Sequence, residues 1–461
     1  MTPNPAESRA AARRVVVAGA AVAAATLVVH GLSLVVPGLQ LDDFVILRQS
    51  RSWADTRERL WVPVNEHCWP LFRLLTMGVV WAANGAASLP LAGAVSVRVA
   101  LLGTVWLVYR FVRRERGHPY HGLAAAAGFG VTAAYQEAVN WYAASPALWA
   151  AAATVLALLA AQRWVQARSW VGLAAAAGWS AVAPAWFGGG VLTGPLCALY
   201  LVLGERWRAA GVPLVGTVVY VAVALTMAGD QLLHVNHHGA DSTIDAIDPA
   251  VGAVYSARSV VDNLVFGAVG VSGFTTPPAV AAVLFVGVAA GAGWWWRWAP
   301  RRDLVVLGLA FVVLHFGLIY SARAGWTYDQ LRGWSRYTVF PWMGVVLAVA
   351  GGLRRPADTE LTTREAWRLG LLILGLMLVN LPRGVLGTPI RPAEQPRVLL
   401  QVEDMDRKCR EAGIPAEAAW RVLVPLPMPG DPAFDAYLLI HGGTGPDDVP
   451  DDEVRRRLGV Q

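Results

Sequence analysis

The sequence predicts a mainly α-helical, polytopic membrane bundle of about eleven spans, closed by a small α/β segment at the C-terminal end. Three observations predict it. Apolar residues make up 56% of the 461-residue chain and charged residues only 15%, against roughly a quarter charged in soluble proteins. Uncharged runs recur at about the 20 residues a helix needs to cross a ~30 Å hydrocarbon core. Arginines gather between those runs at alternate ends, as in loops kept in the cytoplasm.

This arithmetic excludes a soluble enzyme, a disordered linker, a collagen and a disulfide-stapled secreted module. The net charge of +6 rests on arginine, because Lys408 is the only lysine. The arginines mark span ends rather than one patch, so no nucleic-acid partner is expected. Cys68, Cys197 and Cys409 show no metal-ligand spacing, and an odd count cannot close a disulfide set within one chain.

The first span reads as Val15–Val36, since no charge intervenes between Arg14 and Asp42. Arg9, Arg13 and Arg14 precede it, but the apolar run exceeds the 7–15 residues of a signal-peptide core, which favours an uncleaved anchor. Ten further spans read as about 91–112, 123–137, 147–163, 171–187, 190–204, 212–228, 278–296, 303–320, 338–353 and 368–386. The uncharged stretch Ser169–Gly204 is read as a hairpin, broken at Trp186 and Gly188–Gly190. Only that reading puts Arg113–Arg116, Arg163 with Arg168, Arg206 with Arg208, Arg297 with Arg301 and Arg302, and Arg354 with Arg355 on the side of the N-terminal arginines. A multi-pass plasma-membrane protein follows, with a cytoplasmic N-terminus and an extracytoplasmic C-terminus.

Residues 1–386 are then the membrane domain, with outer loops 38–90, 229–277 and 321–337, and residues 387–461 form a small extracytoplasmic domain. Within the first loop, Trp69–Ala83 is apolar apart from Arg73 and reads as a helix lying in the interface, its Trp and Arg at headgroup level. The tail predicts a helix over Arg397–Ala412, stopped by Gly413 and Pro415, and short strands at Trp420–Leu426 and Ala436–Ile440. No internal repeat is evident, which weighs against a secondary transporter.

Chemistry-bearing residues concentrate on the outer side. Asp42 and Asp43 leave the first span together. Adjacent carboxylates at a low-dielectric boundary raise one another's pKa towards the range of a general base, although either also suits the N-cap of a following helix. Asn65-Glu66-His67-Cys68-Trp69-Pro70-Leu71-Phe72-Arg73 comes later in that loop, Gln136-Glu137-Ala138-Val139-Asn140-Trp141 in the next, and Arg332-Gly333-Trp334-Ser335-Arg336-Tyr337 in a late one. Glu137 ends a span, and an ionisable group at membrane depth tends to face a cavity or a partner. Arg98 lies within the second span and reads as a buried partner for a carboxylate.

The combination of Asp42-Asp43, Trp69-Pro70-Leu71-Phe72-Arg73-Leu74 and Glu137-Ala138-Val139-Asn140-Trp141 resembles the GT-C class of integral membrane glycosyltransferases. The likeness covers the first 200 residues best. After Trp141, Ala143-Ala144-Ser145-Pro146 stands where the class usually has a polar Gly-Arg pair. The resemblance implies a bacterial plasma-membrane enzyme that moves a sugar, with inversion, from a polyprenyl-phosphate donor to an envelope glycan, lipid or protein acceptor at the outer face. It implies Asp42 as base with Asp43 as alternate, Arg336 or Arg332 as phosphate clamp, and Glu66, His67, Arg73, Glu137, Arg323 and Tyr337 around the substrate. No cofactor is implied. Loop residues His234, His237, His238, Asp241, Asp245 and Asp248 are of a type that binds a divalent cation, yet their spacing fits no closed zinc pattern, and no metal is expected. The competing expectations are a transporter or flippase of a lipid-linked or small anionic substrate, and a non-catalytic envelope scaffold.

Overall fold

A computed structural model of the chain describes residues 5–35, 39, 43, 46–47, 49–63, 67–83, 88–229, 248–268, 276–323, 328, 335–354, 360–386, 407–408, 411 and 413. Every regular element among them is helical. Among the described residues, seven stretches are long and apolar enough to cross a membrane: Arg9–His30, Leu89–Arg116, Tyr142–Ala167, Trp207–Ala228, Pro278–Trp298, Arg302–Ala322 and Thr363–Pro382.

The principal helices are α1 (Pro5–His30), α2 (Trp53–Arg59), α3 (Pro70–Ala82), α4 (Leu89–Arg116), α5 (Pro119–Gly130), α6 (Gln136–Asn140), α7 (Pro146–Ala167), α8 (Trp170–Trp186), α9 (Thr193–Leu203), α10 (Gly211–Ala228), α11 (Pro249–Ser259), α12 (Pro278–Trp298), α13 (Arg302–Ala322), α14 (Val339–Gly352) and α15 (Thr363–Leu386). Helix α1 starts ten residues ahead of the expected Val15, because the alanine- and arginine-rich lead-in is itself a good helix former. The 36-residue apolar stretch does break. Phe187 is extended, one 3-10 turn covers Gly188–Leu192, and Gly190 lies against the Ala183 backbone, a closeness that a Cβ would forbid.

Four of the eleven expected spans, 123–137, 171–187, 190–204 and 338–353, are not among these seven, and the first of them is not a single helix. Residues 123–137 do not form one helix: α5 stops at Gly130, and Glu137 belongs to the separate short α6. The backbone between them is satisfied from elsewhere, which is what lets the helix end inside the protein. The Ala133 N–H donates to Asn380 Oδ1 at 2.9 Å, and the Ala134 carbonyl accepts from Thr338 Oγ1.

The arginine-rich ends lie together on one face. Arg14 Nε donates to the Leu361 carbonyl at 2.7 Å, Arg116 to that of Leu353, and His121 Nε2 to that of Arg354 at 2.9 Å. Arg301 pairs with Glu115 at 2.5 Å, and the same carboxylate accepts from Gln162 and Tyr200. The opposite face carries Asp43, the α3 region, residues 131–145 and Ser335–Thr338. The core sits around α5, α6 and α7. In the apolar 18-residue window of Tyr142–Ala167, 83% is buried within the protein, against 6% in that of Pro278–Trp298, the most peripheral of the seven.

Most of the tail falls outside the described residues, including the expected strands at 420–426 and 436–440. Arg407, Lys408 and Glu411 are helical, Arg407 pairs with Glu411 at 3.3 Å, and Gly413 is left-handed at φ 65°, as a helix stop requires.

Candidate functional site

The site grows from the segment that joins α5 to α7. Arg98, in the third turn of α4, donates to the Val139 carbonyl at 2.6 Å, to the last carbonyl of α1 at His30 at 2.5 Å, and to Asn140 Oδ1 at 3.2 Å. A single guanidinium therefore caps two helix ends, where carbonyls have no intrahelical partner. These carbonyl and amide oxygens help a cation to be tolerated among apolar helices.

The late segment closes over this one. Glu137 N–H donates to Ser335 Oγ at 3.0 Å, Arg336 N–H donates to Glu137 Oε2 at 3.2 Å, and the Arg336 guanidinium pairs with the same oxygen at 3.4 Å. That guanidinium stands 4.8 Å over the Trp141 ring and 5.0 Å from that of Tyr337, in range of a cation–π contact. On the other side, the Ala143 N–H donates to the fully buried Asp43 Oδ1 at 2.7 Å. Asp43 and Arg336 are thus both fastened to the stretch 137–143, which spans at most roughly 20 Å even when extended.

Helix α3 locks the same loop from below. Tyr142 and Thr76 share a hydroxyl hydrogen bond of 2.9 Å. Arg73 does not reach headgroups as an interfacial arginine would. It is 1% exposed and donates to Gln49 Oε1 at 2.9 Å and the Val62 carbonyl at 3.3 Å. Burial, with Arg59 adding to it, lowers its pKa to about 10, which leaves it cationic at neutral pH. Arg73 ties α3 to the loop ahead of it, a positioning role set by the need to satisfy a buried charge.

Three nominated residues meet at a cavity of about 150 Å³, lined by His67, Arg323 and Tyr337 together with Phe187, Gly188, Gly189, His315, Leu318, Ile319, Ala322 and Phe340. Arg323, at the end of α13, donates to the Tyr337 hydroxyl at 3.0 Å and is 5% exposed. The two glycines admit the rings that shape the wall: a Cβ on Gly188 would stand 2.8 Å from His67 Nδ1, and one on Gly189 would stand 3.1 Å from the Phe340 ring. A cationic mouth over an aromatic and aliphatic body suits an amphiphile with an anionic head.

His315 is the residue that sequence reasoning missed. It is 3% exposed in the middle of α13, its ring stacks 4.4 Å from Phe340, and its Nδ1–H donates to the Phe311 carbonyl at 2.8 Å. Its Nε2 faces the cavity wall at Gly189 and has no hydrogen-bond partner of good geometry among the described residues. The signal was present: one ionisable residue interrupts an otherwise apolar span, and such residues mark pathways or sites.

Asp42, Glu66 and Arg332 lie outside the described residues, as do His234, His237, His238, Asp241 and Asp245. Asp248 is the N-cap of α11, accepting from the Ala250 N–H at 2.7 Å and the Val251 N–H at 3.3 Å, so its carboxylate is committed to the backbone. No protein family, curated protein or solved structure matches the chain.

Proposed function

We propose that the chain crosses the membrane eleven times and is an inverting glycosyltransferase taking its sugar from a polyprenyl-phosphate donor at the extracytoplasmic face. The observation that carries the reading is the Arg323–Tyr337 pair standing over an apolar cavity at the end of a span. A lipid phosphate at the mouth meets a guanidinium and a hydroxyl, and the first isoprene units enter between Leu318, Ile319 and Phe340.

The chemistry assigned to the residues follows from charge. Asp42 takes the proton from the acceptor hydroxyl as that oxygen attacks the anomeric carbon. The bond to the phosphate breaks on the opposite side, and the departing phosphate keeps the electron pair under Arg323, with Arg336 beside it. Asp43 fixes the 137–143 segment rather than reacting, since its carboxylate accepts from Ala143. Glu137 holds Arg336 in place.

The test is transfer from a panel of radiolabelled polyprenyl-phosphate sugars to membrane acceptors by the purified protein. Asp42→Asn is expected to abolish transfer with insertion intact, and Gly188→Val, which drives a side chain against His67, to weaken donor use. Full activity in Asp42→Asn removes the mechanism. A second reading, a flippase of a lipid-linked anion, is favoured by the depth of His315, because transporters set ionisable groups between helices near the midplane. Movement of labelled lipid across reconstituted vesicles without a new glycosidic bond would select it.

A further inference from the structure

We propose that the groove between α1 and α15, at the arginine-rich face, is a binding site for one anionic phospholipid of the cytoplasmic leaflet. This site lies at the opposite end of the bundle from the cavity at Arg323 and does not depend on the function assigned there.

The two helices start side by side, joined by the hydrogen bond from Arg14 Nε to the Leu361 carbonyl. Between them runs a groove of about 450 Å³, floored by Val17, Ala18 and Ala21 of α1 and by Leu369, Gly370 and Ile373 of α15. The small side chains Ala18, Ala21 and Gly370 leave the space between the two helices unfilled. The groove's floor is aliphatic and lies between two membrane-length helices, which suits an acyl chain.

Charge fixes the other half of the ligand. Arg13 and Arg14 stand at the groove's mouth. Arg13 is exposed and makes no hydrogen bond or ion pair with any described residue, and the bond to Leu361 uses only the Nε of Arg14. Arg364 and Arg368 are exposed on the first turns of α15, on the face turned away from the groove, with Trp367 72% exposed beside them. Of the nearby carboxylates, Glu360 directly precedes Leu361, while Glu365 is 7% exposed and turned inward onto Thr362, accepting from its N–H at 2.9 Å and its hydroxyl at 3.0 Å. Two arginines therefore stand at the mouth of the groove with no opposing acid among its described lining residues. Basic pockets between helices at that depth hold anionic headgroups, and a tryptophan beside them suits the interface.

The experiment titrates the purified full-length protein in detergent with phosphatidylglycerol, phosphatidylcholine and free glycerophosphate, reading adducts by native mass spectrometry and the thermal midpoint alongside. One phosphatidylglycerol per chain is expected to bind and raise the midpoint, with phosphatidylcholine and glycerophosphate far weaker. Arg13→Gln, which breaks no bond in the protein, is expected to weaken phosphatidylglycerol roughly fivefold, and Arg13→Gln with Arg14→Gln roughly thirtyfold. Gly370→Leu keeps both arginines and puts a side chain into open space in the groove, so adducts should be lost there too. Equal binding of the two lipids, retention by both the arginine pair and the Gly370→Leu variants, or glycerophosphate binding as tightly as the lipid would overturn the proposal.

Discussion

The Asp43 carboxylate is buried and holds the Ala143 N–H, so its loss acts on folding before it acts on chemistry. Asp43→Ala strands a buried N–H and is expected to cost about 1–3 kcal/mol. Asp43→Asn keeps an oxygen acceptor in place and should cost much less. Thermal unfolding of the two variants in one detergent checks this, and equal losses would show that the hydrogen bond is not what matters. Cys68 offers a pH test. Its thiol donates to the Trp61 carbonyl at 3.1 Å, and burial pushes its pKa from 9.0 up to about 11, with Arg73 pulling weakly the other way. The folded state thus keeps the proton that the unfolded chain releases from about pH 8.5. Stability from this group is complete below that pH and is lost as pH rises towards 11. The unfolding midpoint of the wild type should fall across this window more steeply than that of Cys68→Ser, and parallel slopes would refute it. At this scale the sequence named Arg323, Tyr337, His67, Glu137 and Arg336 as polar residues of outer loops. It did not pair Arg323 with Tyr337 or Glu137 with Arg336, because partners 14 and 199 residues apart leave no periodic trace.

Helices α13 and α14 meet at Gly308 and Gly344, each set against the other's carbonyl so closely that neither position has room for a Cβ. Such small-residue crossings let membrane helices pack backbone to backbone. This contact also holds the cavity together, because α13 contributes His315 and Arg323 while α14 contributes Phe340. Gly344→Leu is expected to separate the helices, destabilise the protein by about 1–3 kcal/mol or more through overpacking, and reduce ligand retention at the cavity in proportion. A lowered thermal midpoint together with weakened donor binding would support this. An unchanged midpoint would contradict it. Helix positions were legible from uncharged runs and glycine breaks, down to the turn at Gly188–Gly190. The end of α5 at Gly130 was not, since it depends on Asn380 and Thr338 supplying hydrogen bonds from remote helices.

Across the whole molecule, Arg14, Arg116, His121 and Arg301 bind carbonyls and carboxylates that lie on one face. The faces can be assigned to compartments by labelling single cysteines, introduced after replacing Cys68, Cys197 and Cys409, with a membrane-impermeant maleimide in intact cells. Arg208→Cys, exposed on the arginine-rich face, should label only after permeabilisation, and Glu58→Cys, exposed on the opposite side, should label directly. The reverse pattern would invert the topology and move the Arg323 cavity to the cytoplasmic side, where an extracytoplasmic transferase cannot act.

Composition and run length determined by themselves that this is a helical membrane protein, where most of its helices fall and which ends share a face, because solvation in hydrocarbon is a local, per-residue cost. Tertiary structure alone decided which polar side chains meet. Burial charges every cation and carboxylate for a partner, and the partners of Arg98, Asp43 and Glu137 were brought to them by segments distant in sequence. His315 became a site residue only when Phe187, the two glycines after it and Phe340 closed a cavity against the middle of its span.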